Sequence, residues 1–211
     1  MTNELHLIDP MDPETFMKNP YAPYFEKVDY DEATSSDGSA RIMKFNVPNN
    51  HSTMMYNLDL IESSGLIRVC PPGDYTKLGV DGVLMMSDTP AESWDHLEAV
   101  SRAEGHVLVN GLGLGFYLAA IQRNDAVDKI TVVEKSAGVI ELIGPHFPDV
   151  NIIHGDALTV KHDEEFDFAW HDIWPKIDPI NMADMIILED NYGGKSWCRP
   201  LLEQKIEEGY F

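Results

Sequence analysis

The middle of the chain alternates between short apolar runs and amphipathic segments. Runs typical of buried strands are HVLVNG (106–111), KITVVEK (129–135), VNIIHGD (150–156) and FDFAWHDI (166–173). Segments with helical character, GFYLAAIQRN (115–124) and AGVIELIGPHF (137–147), separate the first three runs. Continuous apolar strands that alternate with helices are typical of βαβ units. We therefore expect an α/β fold with a Rossmann-like parallel sheet flanked by helices.

Shorter elements precede this region. The runs RIMKFNV (41–47), TMMYNLDLIES (53–63), GLIRVC (65–70) and DGVLMMS (81–87) are separated by turn residues, which predicts a small antiparallel β unit. Residues before position 41 are rich in Pro, Asp, Ser and Gly and predict an irregular arm, with one short helix near 13–18. The predicted division is an arm over 1–40, a β unit over 41–88 and a Rossmann-like domain over 89–211.

A helix start is well marked between these parts. In DTPAESWDHLEAV, Thr89 is a candidate N-cap, Pro90 a candidate first helical residue and Glu92 the partner of Thr89 in a capping box. Trp94, Leu97 and Val100 follow at helical spacing. The pattern predicts a helix over about 90–103 that Gly105 ends.

Composition narrows the function classes. The 211 residues carry a formal net charge of −21, which disfavours unaided nucleic-acid binding. No apolar run is long enough to span a membrane, and the first residues do not resemble a signal peptide. The two cysteines, Cys70 and Cys198, form no CxxC pair, and the histidines show no metal-ligand spacing. We expect a cytoplasmic protein without a metal site.

Three glycines follow the first predicted strand of the parallel sheet. Gly111, Gly113 and Gly115 lie where a strand turns into a helix, so a ligand could approach the backbone amides there. A tight strand–helix turn with close packing explains the same glycines, and both interpretations remain open.

Polar side chains end the neighbouring predicted strands. Glu134 ends the second, where an acid can accept hydrogen bonds from both hydroxyls of a ribose. Asp156 ends the third, where a carboxylate can accept a hydrogen bond from the amino group of adenine. Asp172 and Trp174 follow the fourth. Because the carboxyl ends of parallel strands share one edge, these groups predict a nucleoside site.

The series VLVNGLGLG, VVEKS, IIHGDAL and FDFAWHDIWP resembles the class I S-adenosylmethionine (SAM)-dependent methyltransferase fold. It is particularly similar to the spermidine-synthase-like branch and to small phage-type methyltransferases, over about residues 75–180. The resemblance implies a SAM-binding domain over 89–211 and S-adenosylhomocysteine as product. It also implies a set of cofactor-binding residues, namely Asn110, Gly111, Gly113, Gly115, Glu134, Lys135, Asp156, Ala157 and Asp172.

The resemblance also implies a reaction. Asp172 falls where aminopropyltransferases hold a catalytic acid, and we expect it to orient the acceptor or take its proton. Trp174 is the second candidate catalytic residue, because an aromatic face in the pocket can hold a sulfonium or a substrate cation. Trp170 is expected in the core and His171 in a structural role, on the opposite face from Asp172. Asp81 resembles a substrate-facing residue of aminopropyltransferases, although a turn aspartate is the simpler interpretation.

Three functions stay open from the sequence. Methyl transfer from SAM to a small, cationic acceptor is the first, aminopropyl transfer to a polyamine from decarboxylated SAM the second, and non-catalytic SAM binding the third. NAD binding is disfavoured because the glycines are spaced G-x-G-x-G rather than G-x-G-x-x-G.

Two departures from the family accompany these expectations. Asn110 stands where an acid often precedes the first glycine, and an amide can still accept a hydrogen bond from the amine of SAM. No sequence is evident for the usual fifth strand and the closing hairpin. The far sheet edge would then need cover from C-terminal helices, the arm or a second copy, which suggests a homodimer.

Overall fold

The computed structural model describes residues 21, 24–64 and 68–210. The helix predicted near 13–18 lies outside these residues. Within them the strands form two sheets, one antiparallel and one parallel, and the helices flank the parallel sheet. This arrangement confirms the expected α/β fold with a preceding antiparallel β unit.

The first sheet is antiparallel and has four strands in sequence order. They are β1 (Ala33–Thr34), β2 (Ala40–Val47), β3 (Gly73–Val80) and β4 (Val83–Ser87). Strands β2 and β3 pair along their full lengths, from Ala40 opposite Val80 to Val47 opposite Gly73. Strand β3 was not predicted, because its central residues YTKLG alternate only weakly between apolar and polar.

The prediction of a second strand in this unit, over 53–63, is wrong. Its residues form a helix instead, α1 (His51–Ser64), in which the Asn50 side chain accepts a hydrogen bond from the Thr53 amide at 3.0 Å. Methionine and leucine are good helix formers, so a capped start is enough to favour the helix over the strand. Residues 65–67 of the predicted strand GLIRVC lie outside the described range, and 68–70 are not extended in a sheet.

The second sheet is parallel throughout, with strand order β7-β6-β5-β8-β9. Its strands are β5 (Gly105–Asn110), β6 (Val127–Glu134), β7 (Asn151–His154), β8 (Phe168–His171) and β9 (Lys195–Ser196). The helices are α2 (Pro90–Arg102), α3 (Phe116–Ile121), α4 (Ala137–Ile143), α5 (Asn181–Tyr192) and α6 (Arg199–Glu207). The order reverses at β5, which places the topological switch point beside the glycine loop.

Strand β9 corrects the expectation that the fifth strand is missing. Lys195 and Ser196 pair with Trp170 and His171 of β8. Gly194 makes this approach possible, because a Cβ atom there would lie 1.8 Å from the Ala169 carbonyl oxygen. The β8 edge is therefore covered within the chain at Trp170 and His171, and the homodimer stays a prediction.

Both faces of the parallel sheet are buried, because successive side chains of β5 point to opposite faces. Val107 and Val109 join a core with α2, α3 and α4, whereas Leu108 joins a second core with α5 and α6. No helix among the described residues has the length and apolar character needed to cross a membrane.

Helix α2 confirms the predicted span but not its predicted details. Thr89 makes no side-chain cap, and the Glu92 carboxylate accepts from the Ser87 amide at 3.2 Å instead of from Thr89. Gly105 is the first residue of β5 rather than the end of the helix. The buried face consists of small residues and one histidine, with Trp94 and Leu97 only partly buried.

Candidate functional site

A cavity of about 620 Å³ lies at the carboxyl edge of the parallel sheet. One wall comes from the antiparallel sheet, through Leu78, Met85 and Met86, and the floor comes from the glycine loop and the ends of β6, β7 and β8. Sites for small molecules and cofactors have volumes of about 300–1,000 Å³. The cavity is therefore large enough for a nucleoside with a side chain.

Most of the predicted site residues border this cavity. They are Gly111, Gly113, Glu134, Lys135, Asp156, Ala157, Asp172 and Trp174. Asn110 and Gly115 do not line it, although both were predicted to bind cofactor. Asp81 lines it and also occupies the turn between β3 and β4, with a positive φ of 50°.

Protein atoms explain the three glycines. A Cβ atom on Gly111 would lie 2.1 Å from the Asp172 carbonyl oxygen, and one on Gly115 would lie 2.2 Å from the Phe147 ring. A Cβ atom on Gly113 would meet the Met86 sulfur at 2.4 Å. All three residues have positive φ. The tight turn thus accounts for the glycines, and the cavity adjoins two of them.

Glu134 points into the glycine loop. Its carboxylate accepts hydrogen bonds from the amides of Leu112 at 2.8 Å and Ser136 at 2.7 Å. Each oxygen keeps acceptor capacity, because an ionised carboxylate offers about four lone-pair positions. Glu134 therefore orders the loop and can still accept hydrogen bonds from hydroxyl groups in the cavity.

Lys135 and Asp156 form an ion pair at the rim of the cavity. The Lys135 ammonium lies 2.9 Å from Asp156 Oδ2, and the Leu158 amide donates to Oδ1 at 3.0 Å. The hydrogen bond from Lys135 lowers the pKa of Asp156 below its usual value. Asp156 is therefore ionised near neutral pH.

Asp172 contacts a histidine that the sequence analysis did not single out. Its Oδ2 atom lies 3.0 Å from His96 Nε2, and its backbone amide donates to the Asn110 carbonyl at 2.8 Å. The His96 side chain is 2% exposed and that of Asp172 22% exposed. A buried imidazole thus supports a carboxylate that reaches the cavity.

Asn110 and His171 form a separate buried pair. Asn110 Nδ2 donates to His171 Nδ1 at 2.8 Å, and His171 Nε2 donates to the Gly193 carbonyl at 2.9 Å. Burial lowers the pKa of His171 below its ordinary value, so the ring is neutral. His171 has the structural role expected of it, and Asn110 joins that role.

Both tryptophans are part of the core and of the cavity wall. Trp170 belongs to one buried core cluster and Trp174 to the other, and both also border the cavity. The Met86 side chain, from β4, packs against the glycine loop, and the Leu114 amide is directed at its sulfur at 3.1 Å. Tyr30 fixes the same loop by donating to the Leu114 carbonyl at 2.5 Å.

The lining of the cavity is strongly acidic. Two of its ionisable groups are basic, Lys135 and His96, and each is already paired with a carboxylate. The acids that line it are Asp81, Glu134, Asp156, Asp172 and Asp184. This charge favours a cationic ligand and opposes a phosphate.

Sequence reasoning missed His96 and Asp184 as site residues. His96 lies on the small-residue face of α2, three residues from Ser93 and from Ala99. A histidine on a stripe of small buried residues was the available signal. Asp184 lies in the first turn of α5, and nothing in the sequence around it distinguishes it from other acidic residues.

No protein-family model matches the chain, and no curated protein matches it. Solved structures similar to it include spermidine synthase from Thermotoga maritima, with 18% identity over 66% of this chain and 44% of that one and a TM-score of 0.40. The N-methyltransferase NodS from Bradyrhizobium japonicum is 16% identical over 50% of this chain and 64% of that one, with a TM-score of 0.39. SAM-bound CalS10, an amino pentose methyltransferase from Micromonospora echinaspora, is 17% identical over 48% of this chain and 44% of that one, with a TM-score of 0.36.

The chain thus spans about half the length of these structures, at low identity. At such TM-scores the similarity adds nothing to the functional argument. The Rossmann-like fold stands on the chain's own strand order, β7-β6-β5-β8-β9.

Proposed function

We propose that the protein is a SAM-dependent transferase that moves a methyl group to a small, cationic acceptor. The observation that carries the proposal is the acidic cavity at the carboxyl edge of the parallel sheet, with Glu134 beside the glycine loop. A nucleoside with a positively charged sulfonium fits both its position and its charge.

The amides of the glycine loop support SAM over NAD. A pyrophosphate binds to loop amides that are free to donate. Here the Leu112 amide donates to Glu134 and the Leu114 amide is directed to the Met86 sulfur. The two carboxylates closest to the loop and to β7, Glu134 and Asp156, would also repel phosphate. These occupied amides and free carboxylate acceptors therefore fit a ribose and an adenine without phosphates.

The acidic residues have distinct roles in this proposal. Glu134 would hold the ribose hydroxyls, and Asp156 the amino group of adenine. Asp172 would orient the acceptor and take its proton through Oδ1, because Oδ2 is held by His96. When bound, SAM supplies an electrophilic methyl group whose departure leaves a neutral thioether. Positioning and proton removal are then the work left to the protein.

One observation favours a second candidate, aminopropyl transfer from decarboxylated SAM. The carboxylate of SAM is best bound by a cation, yet Lys135 and His96 are already paired with Asp156 and Asp172. Decarboxylated SAM lacks that carboxylate and is more positively charged, so it suits the acidic lining better.

Calorimetry with SAM, decarboxylated SAM and NAD tests the proposal. We expect micromolar-range binding of SAM and no binding of NAD. A preference of more than about tenfold, or 1.4 kcal/mol, for decarboxylated SAM would replace methyl transfer by the second candidate. Binding without turnover on a panel of amines would indicate a non-catalytic binding protein, and no binding of either sulfonium would end both transferase proposals.

Replacement of Glu134 by glutamine tests the ribose contact. The amide has one acceptor oxygen in place of two, so it cannot serve the loop amides and the hydroxyls together. We expect nucleoside affinity to fall by about 1–3 kcal/mol in isothermal titration. Glu141→Gln is the matched control, because Glu141 lies on α4 and bonds Ser36 rather than lining the cavity. Equal affinities of the two variants would contradict the ribose assignment.

A further inference from the structure

His96 lies at the centre of a group of aromatic rings beside the cavity. The ring centroids of Phe25, Phe116, Tyr117 and Trp170 lie 6.5, 6.5, 6.0 and 5.6 Å from that of His96. The imidazole is almost completely buried. Its hydrogen bonds must therefore come from protein groups, because a buried polar group without partners is costly.

The two partners of His96 fix where its protons lie. Nδ1 is 2.6 Å from the Glu92 carbonyl oxygen, which can only accept, so Nδ1 carries a hydrogen. Nε2 is 3.0 Å from Asp172 Oδ2. With Nδ1 as a donor, one further proton lies between Nε2 and Oδ2, and the pair shares it.

The surrounding groups favour a proton on the imidazole. Burial alone lowers the pKa of His96, but the hydrogen bond and charge of Asp172 outweigh it and raise the pKa to about 9. Glu92 also faces His96 from α2, and burial raises the pKa of its carboxyl to about 7. Tyr117 faces it from α3, and burial raises the pKa of its phenol, which stays neutral. The resulting state is an imidazolium beside an ionised Asp172.

Asp172 is held from two sides by this arrangement. Its backbone packs on Gly111 and bonds the Asn110 carbonyl, while its side chain is fixed through Oδ2. Among the described residues, no donor contacts Oδ1. The carboxylate thus has one oxygen for His96 and one for the cavity.

We propose that His96 is a positioning residue of the transfer site, which holds Asp172 through Oδ2 and leaves Oδ1 for the amino group of the acceptor. The inference rests on the proposed function for its consequence in turnover, but the ion pair itself is a property of the protein without ligand. The two can therefore be tested separately.

Titration of the imidazole by NMR tests the pair in the free protein. The His96 resonances are assigned by their loss in His96→Gln. We expect wild-type His96 to remain protonated beyond pH 8. In Asp172→Asn the pKa of His96 should fall below its ordinary value of about 6.5, because burial then dominates. The same titration in both proteins would overturn the proposal.

Kinetics with two variants test the positioning role. His96→Phe suits the aromatic surroundings but offers no donor, whereas His96→Gln keeps a neutral donor. We expect His96→Phe to lower kcat by about a hundredfold, with KM for the nucleoside within about twofold, because a misplaced proton acceptor costs rate rather than binding. His96→Gln should recover most of that loss, and the acidic limb of the kcat profile should move to higher pH in His96→Phe.

The outcomes separate the two proposals. Equal losses in both variants with an unmoved pH profile would mean that His96 only fills space, and would overturn the positioning role. A wild-type protein that binds no sulfonium nucleoside, with the His96 titration as expected, would overturn the proposed function and leave the ion pair standing.

Discussion

If Asp172 is the proton acceptor of the proposed transfer, we expect turnover to fall by about two to four orders of magnitude in Asp172→Asn, which is the range lost when a general base is removed. Asparagine has the same shape and can still bond His96, so the change removes the proton acceptor with little effect on packing. Nucleoside binding should stay within a few-fold, because Glu134 and Asp156 are untouched. Single-turnover measurements with an amine acceptor, together with calorimetry, separate the two quantities.

Asp190→Asn is the matched control for this prediction. Asp190 is an exposed acid on α5, outside the cavity lining, so the substitution makes the same change in net charge. We expect its turnover to equal that of the wild type. Wild-type turnover in Asp172→Asn would assign proton removal to another group, and equal losses in both variants would indicate an effect of overall charge.

The parallel sheet was predictable because its central strands, β5 and β8, are buried on both faces. Val107, Leu108 and Val109 form a continuous apolar run, which is typical of a strand that is buried on both faces. The acids that follow those strands then share one edge by topology alone. For the same reason the sequence places Glu134, Asp156 and Asp172 together.

The elements that the sequence did not reveal depend on single contacts. Strand β9 has two residues and exists because Gly194 lets the chain approach Ala169. Helix α1 follows from a cap at Asn50 on a segment whose apolar residues fit either period. Neither contact leaves a periodic pattern, so hydrophobic spacing alone could not find them.

Of the candidate site, only the residues that follow the strands of the parallel sheet were predicted. His96 comes from α2, whose buried face is made of small residues, so counting large apolar residues points to Trp94 and Leu97 instead. Its partnership with Asp172 joins residues far apart in the chain. The pairing of Asn110 with His171 was missed for a related reason, because it is a cross-strand contact between β5 and β8.

Gly111→Ala lowers the free energy of unfolding by at least about 3 kcal/mol, because it combines a forbidden backbone conformation with a collision. Gly111 has a φ of 100°, and its Cβ would lie 2.1 Å from the Asp172 carbonyl oxygen, a backbone atom that no side-chain rotation can move. A loss of this size corresponds to a fall in Tm of roughly 6–12 °C for a chain of this length.

Gly82→Ala separates the collision from the conformational cost. Gly82 has a φ of 79°, but nothing lies within 4 Å of its Cβ position. It should lose only about 1 kcal/mol in chemical denaturation. The excess loss at Gly111 measures how firmly the glycine loop and the strand end that carries Asp172 are held together. If Gly111→Ala were as mild as Gly82→Ala, this contact would be soft, and Asp172 would need some other support to stay in place at the cavity.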